Sequence, residues 1–189
     1  PLELGDKLYV IWSGWPAKDD VQYLYIATMS NPYTVAGNRV KLCENNTYVW
    51  ERVSDKPTER GLHEGPQILK RSGKVFIVYS CSSSWESTYK LGMLYMDEKA
   101  DPMNPASWTK ADKPVFAGTP QVFGVGHASF TTSPDGSQDW IVHHAKISRE
   151  PGWQRAVSLK PFGWTKDGMP DFGTPVPPGD GKDRKSTRL

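Results

Sequence analysis

The sequence predicts an all-β protein built as an incomplete β-propeller, and three observations point there. Short strand patterns are joined by turns containing Gly5, Gly73 and Gly136, which recur at intervals of roughly 60–70 residues, the length of a four-stranded blade. After each of the first two hairpins comes another alternating strand and then an Asn-Pro turn, at Asn31 and Asn104. No long amphipathic pattern of helical period competes, and 17 Gly with 16 Pro suit a turn-rich chain. A β-sandwich is the structural alternative, but it would not require hairpins at near-constant spacing.

The first unit opens with "LELGDKLYVIWSGW", two strands about a Gly turn that end on small residues and Trp15. "YLYIATMS" adds a half-buried strand by its period-two alternation, and "NPYTV" turns the chain. The second unit repeats that grammar in "ILKRSGKVFIVYSCSSSW", "LGMLYMDE" and "NPASWTK". The third begins with "FTTSPDGSQDWIVHHAK" and runs into "RAVSLKPFGWTKDGMPDFGTPVPP", which reads as another strand, an Asp-Gly hairpin and a Pro-rich finish. Residues 1–178 therefore hold three to four blades. A propeller needs at least about four, so blades are expected to be missing, first at the N-terminus, where Pro1 leads straight into a strand pattern. Residues 179–189 are expected to be a disordered tail. Within it "DRKSTRL", Asp183 to Leu189, is one translation of a common sequencing-adapter read, so the tail is expected to be an assembly artefact.

Composition excludes several function classes. A net charge of +2 with 23% charged residues marks neither a nucleic-acid surface nor a membrane surface. Cys43 and Cys81 are too few for a disulfide framework or a cysteine-rich metal site. No apolar run approaches the length of a membrane-spanning helix. Whether the protein is secreted or cytoplasmic is not legible. Eight Trp and eight Tyr exceed what a core of this size needs, and planar aromatic faces suit sugar rings, although most are expected to be core residues.

Glu64, in "HEGPQILKRSGKVFIVYS", is the leading candidate for chemistry. It stands before Gly65-Pro66, expected to be a turn feeding a strand that lines the propeller axis. A carboxylic acid held there can protonate a leaving oxygen, as glycosidic cleavage requires; the alternative is a solvated loop glutamate. In "GVGHASF", His127 is expected just ahead of a strand, at the place equivalent to Glu64 one blade later. His143 and His144 in "WIVHHAK" are expected to be structural, one of them facing outward by strand alternation. Arg155 opens the last apolar strand, where a guanidinium could hold sugar hydroxyls or a carboxylate, against the alternative of a surface arginine. Trp15 is either exposed at the funnel rim or packed in the core.

Taken together, "EGPQILKRSGKVFIVYS", "DPMNPASWTK", "GVGHASF", "DWIVHHA" and "DGMPDFGTPV" resemble family 43 glycoside hydrolases, most closely the α-L-arabinofuranosidase and arabinan-degrading members. The likeness covers nearly all of residues 1–178. It implies a partial five-bladed β-propeller and hydrolysis with inversion, by an Asp base, a second Asp that tunes the acid, and a Glu acid. By motif the general acid is Glu64. His127 matches a histidine on the axis near a bound ion, often calcium. Arg155 matches an arginine that reaches the sugar from the last blade, and Trp15 lies in a stretch bordering the sugar pocket. The implied partner is a plant cell-wall oligosaccharide or polysaccharide.

The sequence departs from that pattern where the other acids belong. The family's base lies on a first blade not found here, and its second Asp falls just ahead of the strand that begins at Pro1. Asp6 is in the hairpin turn on the wrong side of that strand, and Ala128 stands where Asn is common. Inversion needs a base and an acid roughly 6.5–9.5 Å apart, across a water. The whole protein is thus expected to be an inverting arabinofuranosidase and this chain alone to be inactive. A non-catalytic carbohydrate-binding propeller and a β-xylosidase on the same fold are the rival readings.

Overall fold

A computed structural model describes residues 1–17, 21–54 and 59–177. The tail expected at 179–189, with its adapter-like segment, lies outside the described residues.

Among the described residues, twelve strands form three four-stranded antiparallel sheets, each with its strands adjacent in chain order. The first holds β1 (Leu2–Leu4), β2 (Lys7–Gly14), β3 (Tyr23–Asn31) and β4 (Thr34–Lys41). The second holds β5 (His63–Arg71), β6 (Lys74–Cys81), β7 (Lys90–Asp97) and β8 (Thr109–Lys110). The third holds β9 (Phe123–Thr132), β10 (Asp139–Lys146), β11 (Arg155–Trp164) and β12 (Pro170–Asp171). The repeat is real: Gly5, Gly73 and Gly136 occupy the first hairpin of each sheet, all with positive φ. Asn31, the last residue of β3, opens the third connection of its sheet, Asn104 lies in the third connection of the second, and the Asp167-Gly168 turn fills that place in the third. The strand and hairpin after "WIVHHAK" therefore complete a third blade rather than begin a fourth.

The sheets stack as blades do. Along β6 the side chains alternate between two neighbours. Val75, Ile77, Tyr79 and Cys81 pack with Leu2, Tyr9, Leu24 and Ile26 of the first sheet. Phe76 and Val78 pack with Val125, Ala128, Ile141 and Phe172 of the third. Burial on both faces explains why "KVFIVYSC" is a continuous apolar run instead of an alternating one. β5 touches β9, placing these two inner strands side by side. On the outer face of the third sheet, Val157 and Leu159 are 76% and 62% exposed. An apolar sheet face left open in this way fits a partial propeller, in which a further blade would cover it.

Candidate active site

Glu64 lies inside β5, not ahead of a turn. It pairs with Ser80, whereas Gln67 pairs with Val78, so β5 carries one residue more than β6 over that stretch. Gly65-Pro66 is thus a β-bulge. Gly65 supplies the positive φ of 56°, and Pro66 tolerates the break because it has no N–H to offer the ladder. His127 likewise lies within β9. Ser129 pairs with Val142 and Gly126 with His144, which leaves an extra residue beside His127, itself at a φ of 49°. Both expectations placed the residue at a strand entrance. The strands extend further because a bulge re-aims a side chain without ending the pairing.

The two bulges meet. A side chain on Gly65 would stand 3.1 Å from the His127 ring, so only glycine admits this approach. Tyr89, buried just before β7, donates its phenol to Glu64 Oε1 at 2.6 Å. The Tyr89 oxygen also lies 3.3 Å from His127 Nδ1. The phenol has one hydrogen, engaged with Glu64, so its oxygen accepts from His127 Nδ1. The His127 backbone N–H donates to Ser80 Oγ at 2.7 Å, which fixes the strained residue from below. Gly126 makes room for Tyr89, whose ring would lie 2.3 Å from any side chain there. Burial, and then the Glu64 charge, push the Tyr89 phenol far up, so it stays a hydrogen donor.

The cluster continues sideways. His144 stacks on Tyr89 with centroids 5.3 Å apart and planes parallel within 1°. Arg155 Nη1 donates to His144 Nε2 at 3.3 Å, and its guanidinium lies 4.7 Å above the ring of Trp153, which packs on Trp85. Burial, followed by the Arg155 charge, lowers His144 to about 4, so it is neutral and can accept that bond. Arg155 Nε is buried with no partner among the described residues.

Glu64, His127 and Arg155 are thus brought into one connected group. Trp15 is not: it follows β2, is 49% exposed as a residue and makes no ring contact among the described residues. Its link to the site is indirect, through Ser13, whose hydroxyl donates to the His63 carbonyl at 2.9 Å. Asp6 lies in the β1–β2 turn, at the far end of the sheets from Glu64. His143 is a core residue, edge-on to Phe116, as expected. His144, also expected to be structural, stacks on Tyr89 and accepts from Arg155. Tyr89 was not singled out as a site residue because it sits in no motif, and His144, though in "WIVHHAK", was expected to be structural.

No second carboxylate is hydrogen-bonded to Glu64 among the described residues. Nor do three His, Cys, Asp or Glu side chains converge among them, so they form no protein-held metal centre. Calcium prefers oxygen donors, and a single imidazole at His127 does not supply a coordination sphere. The arrangement presents one carboxyl group, three donor or acceptor partners and an aromatic flank, which suits proton donation to a polar, ring-shaped neutral ligand.

Comparison with known proteins gives consistent matches across the chain. The family model described as glycosyl hydrolases family 43 matches residues 3–170. An extracellular exo-alpha-(1->5)-L-arabinofuranosidase of Streptomyces avermitilis is 40% identical over 87% of this chain and 34% of its own length. An alpha-L-arabinofuranosidase 43 of Humicola insolens is 35% identical over 90% of this chain and 36% of its own. The crystal structure of an alpha-L-arabinofuranosidase from Lactobacillus brevis superposes with a TM-score of 0.82 at 36% identity, covering 93% of this chain and 55% of that one. The chain thus spans about a third of the length of the curated relatives it matches.

Proposed function

The chain belongs to glycosyl hydrolases family 43, and from that premise we propose that the complete protein is an inverting α-L-arabinofuranosidase with Glu64 as its general acid. Its substrate would be a terminal arabinofuranosyl linkage in a plant cell-wall polysaccharide such as arabinan or arabinoxylan. The observation that carries this reading is the joined group of Glu64, Tyr89 and His127 at two facing bulges. Tyr89 occupies Oε1, so Oε2 is the oxygen that would bear the proton and deliver it to the glycosidic oxygen. Arg155 and the neutral His144 would hold sugar hydroxyls, and Trp15 would border the sugar from the rim.

Inversion needs a second carboxylate to activate water on the opposite face of the ring. By the family pattern that carboxylate belongs to a blade not found in this sequence, so we propose that the 189-residue chain alone is inactive. An axial ion belongs to the same proposal only as one held largely by water near His127, and no step of the chemistry depends on it.

The test is hydrolysis by the complete protein of aryl α-L-arabinofuranoside and aryl β-D-xyloside, with the product anomer read by proton NMR. Arabinofuranoside cleavage with inversion, lost in Glu64→Gln, is expected. Preference for the xyloside would replace arabinofuranosidase by xylosidase, and no cleavage of either would favour a carbohydrate-binding propeller. Turnover by the isolated chain that disappears in Glu64→Gln would overturn its inactivity.

A further inference from the structure

One buried polar cluster lies outside the site just described. Glu51, in a single-turn 3-10 helix (Val49–Glu51) of the connection from β4 to β5, has its side chain fully buried. Its Oε1 accepts from His63 Nε2 at 2.7 Å, Lys110 Nζ at 2.8 Å and the Tyr79 phenol at 3.2 Å. Its Oε2 accepts from the Tyr48 N–H at 3.0 Å. One carboxylate therefore ties together the connection between blades and strands β5, β6 and β8. A buried ion pair is expensive to desolvate and is often replaceable by apolar packing without loss of stability, so its location asks for a reason.

The reason lies in the next residue. His63 directly precedes Glu64 and is pinned at every group. Its ring is fully buried against Tyr79, with centroids 4.3 Å apart. Its N–H donates to the Gln22 carbonyl, and its own carbonyl accepts from Ser13. With Nε2–H given to Glu51, Nδ1 faces the Cys43 thiol at 3.8 Å. On the other side of Glu64 the ladder breaks at the Gly65-Pro66 bulge. Regular pairing therefore aims Glu64 from one side only, the side held by His63.

We propose that Glu51, His63 and Lys110 are positioning residues, a buried brace that holds the Glu64 carboxyl in line for proton delivery. This rests on the reading of Glu64 as general acid. The brace touches no substrate and carries no proton during turnover. Its effect is confined to how well the acid is placed.

Leaving groups separate placement from general damage. A 2,4-dinitrophenyl arabinofuranoside departs without protonation, whereas methyl arabinofuranoside needs the acid. In the complete protein, Glu51→Gln and His63→Leu are expected to lower kcat/KM roughly 100-fold on the methyl glycoside and less than about threefold on the dinitrophenyl one. His63→Gln, whose amide can still donate to Glu51, should recover most of the lost rate. Tyr79→Phe removes one of four donors and serves as the gentle variant if the others do not fold, with a selective loss of roughly fivefold. Equal losses on both substrates, or no loss in any folded variant, overturn the brace. Glu64→Ala is measured alongside: if it does not show the same selectivity, the acid assignment itself fails, and the two failures are thereby distinguished.

Discussion

The Tyr89 phenol donates to Glu64 Oε1 across 2.6 Å, from a residue 25 positions further along the chain. It does so while receiving His127 on its own oxygen, so one hydroxyl orients both groups at the facing bulges. Tyr89→Phe keeps the ring that stacks on His144 and deletes only the hydroxyl. In the complete protein it is expected to lower kcat/KM by roughly 10- to 100-fold, in line with the ~1.5–3 kcal/mol of a hydrogen bond to a charged group. Steady-state kinetics on an aryl arabinofuranoside checks this, and a change below twofold would remove Tyr89 from the site.

Gly65 and Gly73 form a matched pair for testing the bulge. Both have positive φ, 56° and 74°, but a methyl on Gly73 meets nothing within 4 Å while one on Gly65 meets the His127 ring. Alanine at either position is expected to cost ~1–2 kcal/mol of stability through backbone strain. Only Gly65→Ala should also lower activity, by tenfold or more, because His127 must yield. Urea unfolding and kinetics on both variants decide it, and equal activity in the two would mean that the close approach has no role.

These residues also mark the limit of what the sequence could reveal. The hairpin glycines and the Asn turns recur because every blade needs the same reversals, so the blade count was readable from spacing. Glu64 and His127 were readable as candidates because glycine and proline flank them. Their placement at strand entrances was not right, because a bulge and a turn draw on the same residue types. Tyr89, His144 and Glu51 carry no such punctuation. Their roles come from contacts between separate elements, 11 to 59 residues apart in the chain, which local pattern does not encode. Trp15 shows the reverse case, a suggestive residue whose indole stands clear of the Glu64 cluster.

Arg155 should act on binding more than on chemistry. Its bonded partner is the neutral His144, so no carboxylate among the described residues takes up its charge. Arg155→Ala is expected to raise KM roughly 10-fold or more with a smaller change in kcat, and Trp15→Ala to raise KM only a few-fold. Measuring both constants separately for each variant tests this. A fall in kcat at unchanged KM would move Arg155 from ground-state binding to the transition state.

The final prediction concerns stability against pH, where the brace and the site act with one sign. Burial alone would raise the Glu51 carboxyl, but the hydrogen bond from His63 and the Lys110 charge override it and hold it at about 2, below its ordinary 4.5. Its contribution is therefore present above about 4.5 and lost as the pH falls toward 2. Burial keeps His63 below 6.5 despite Glu51, and it lowers His144 to about 4. An unfolded chain takes up those protons near pH 6.5 while the folded one refuses them, so stability declines from there downward. At the alkaline end burial pushes the Cys43 thiol up to about 11, so the unfolded chain releases a proton near pH 9 that the folded one retains. The urea midpoint of the chain should accordingly be flat between pH 7 and 8.5. It should fall progressively below 6.5, more steeply below 4.5, and decline again above 9. A midpoint that stayed constant or rose between pH 7 and 4 would mean that burial does not hold His63 and His144 neutral as the fold places them.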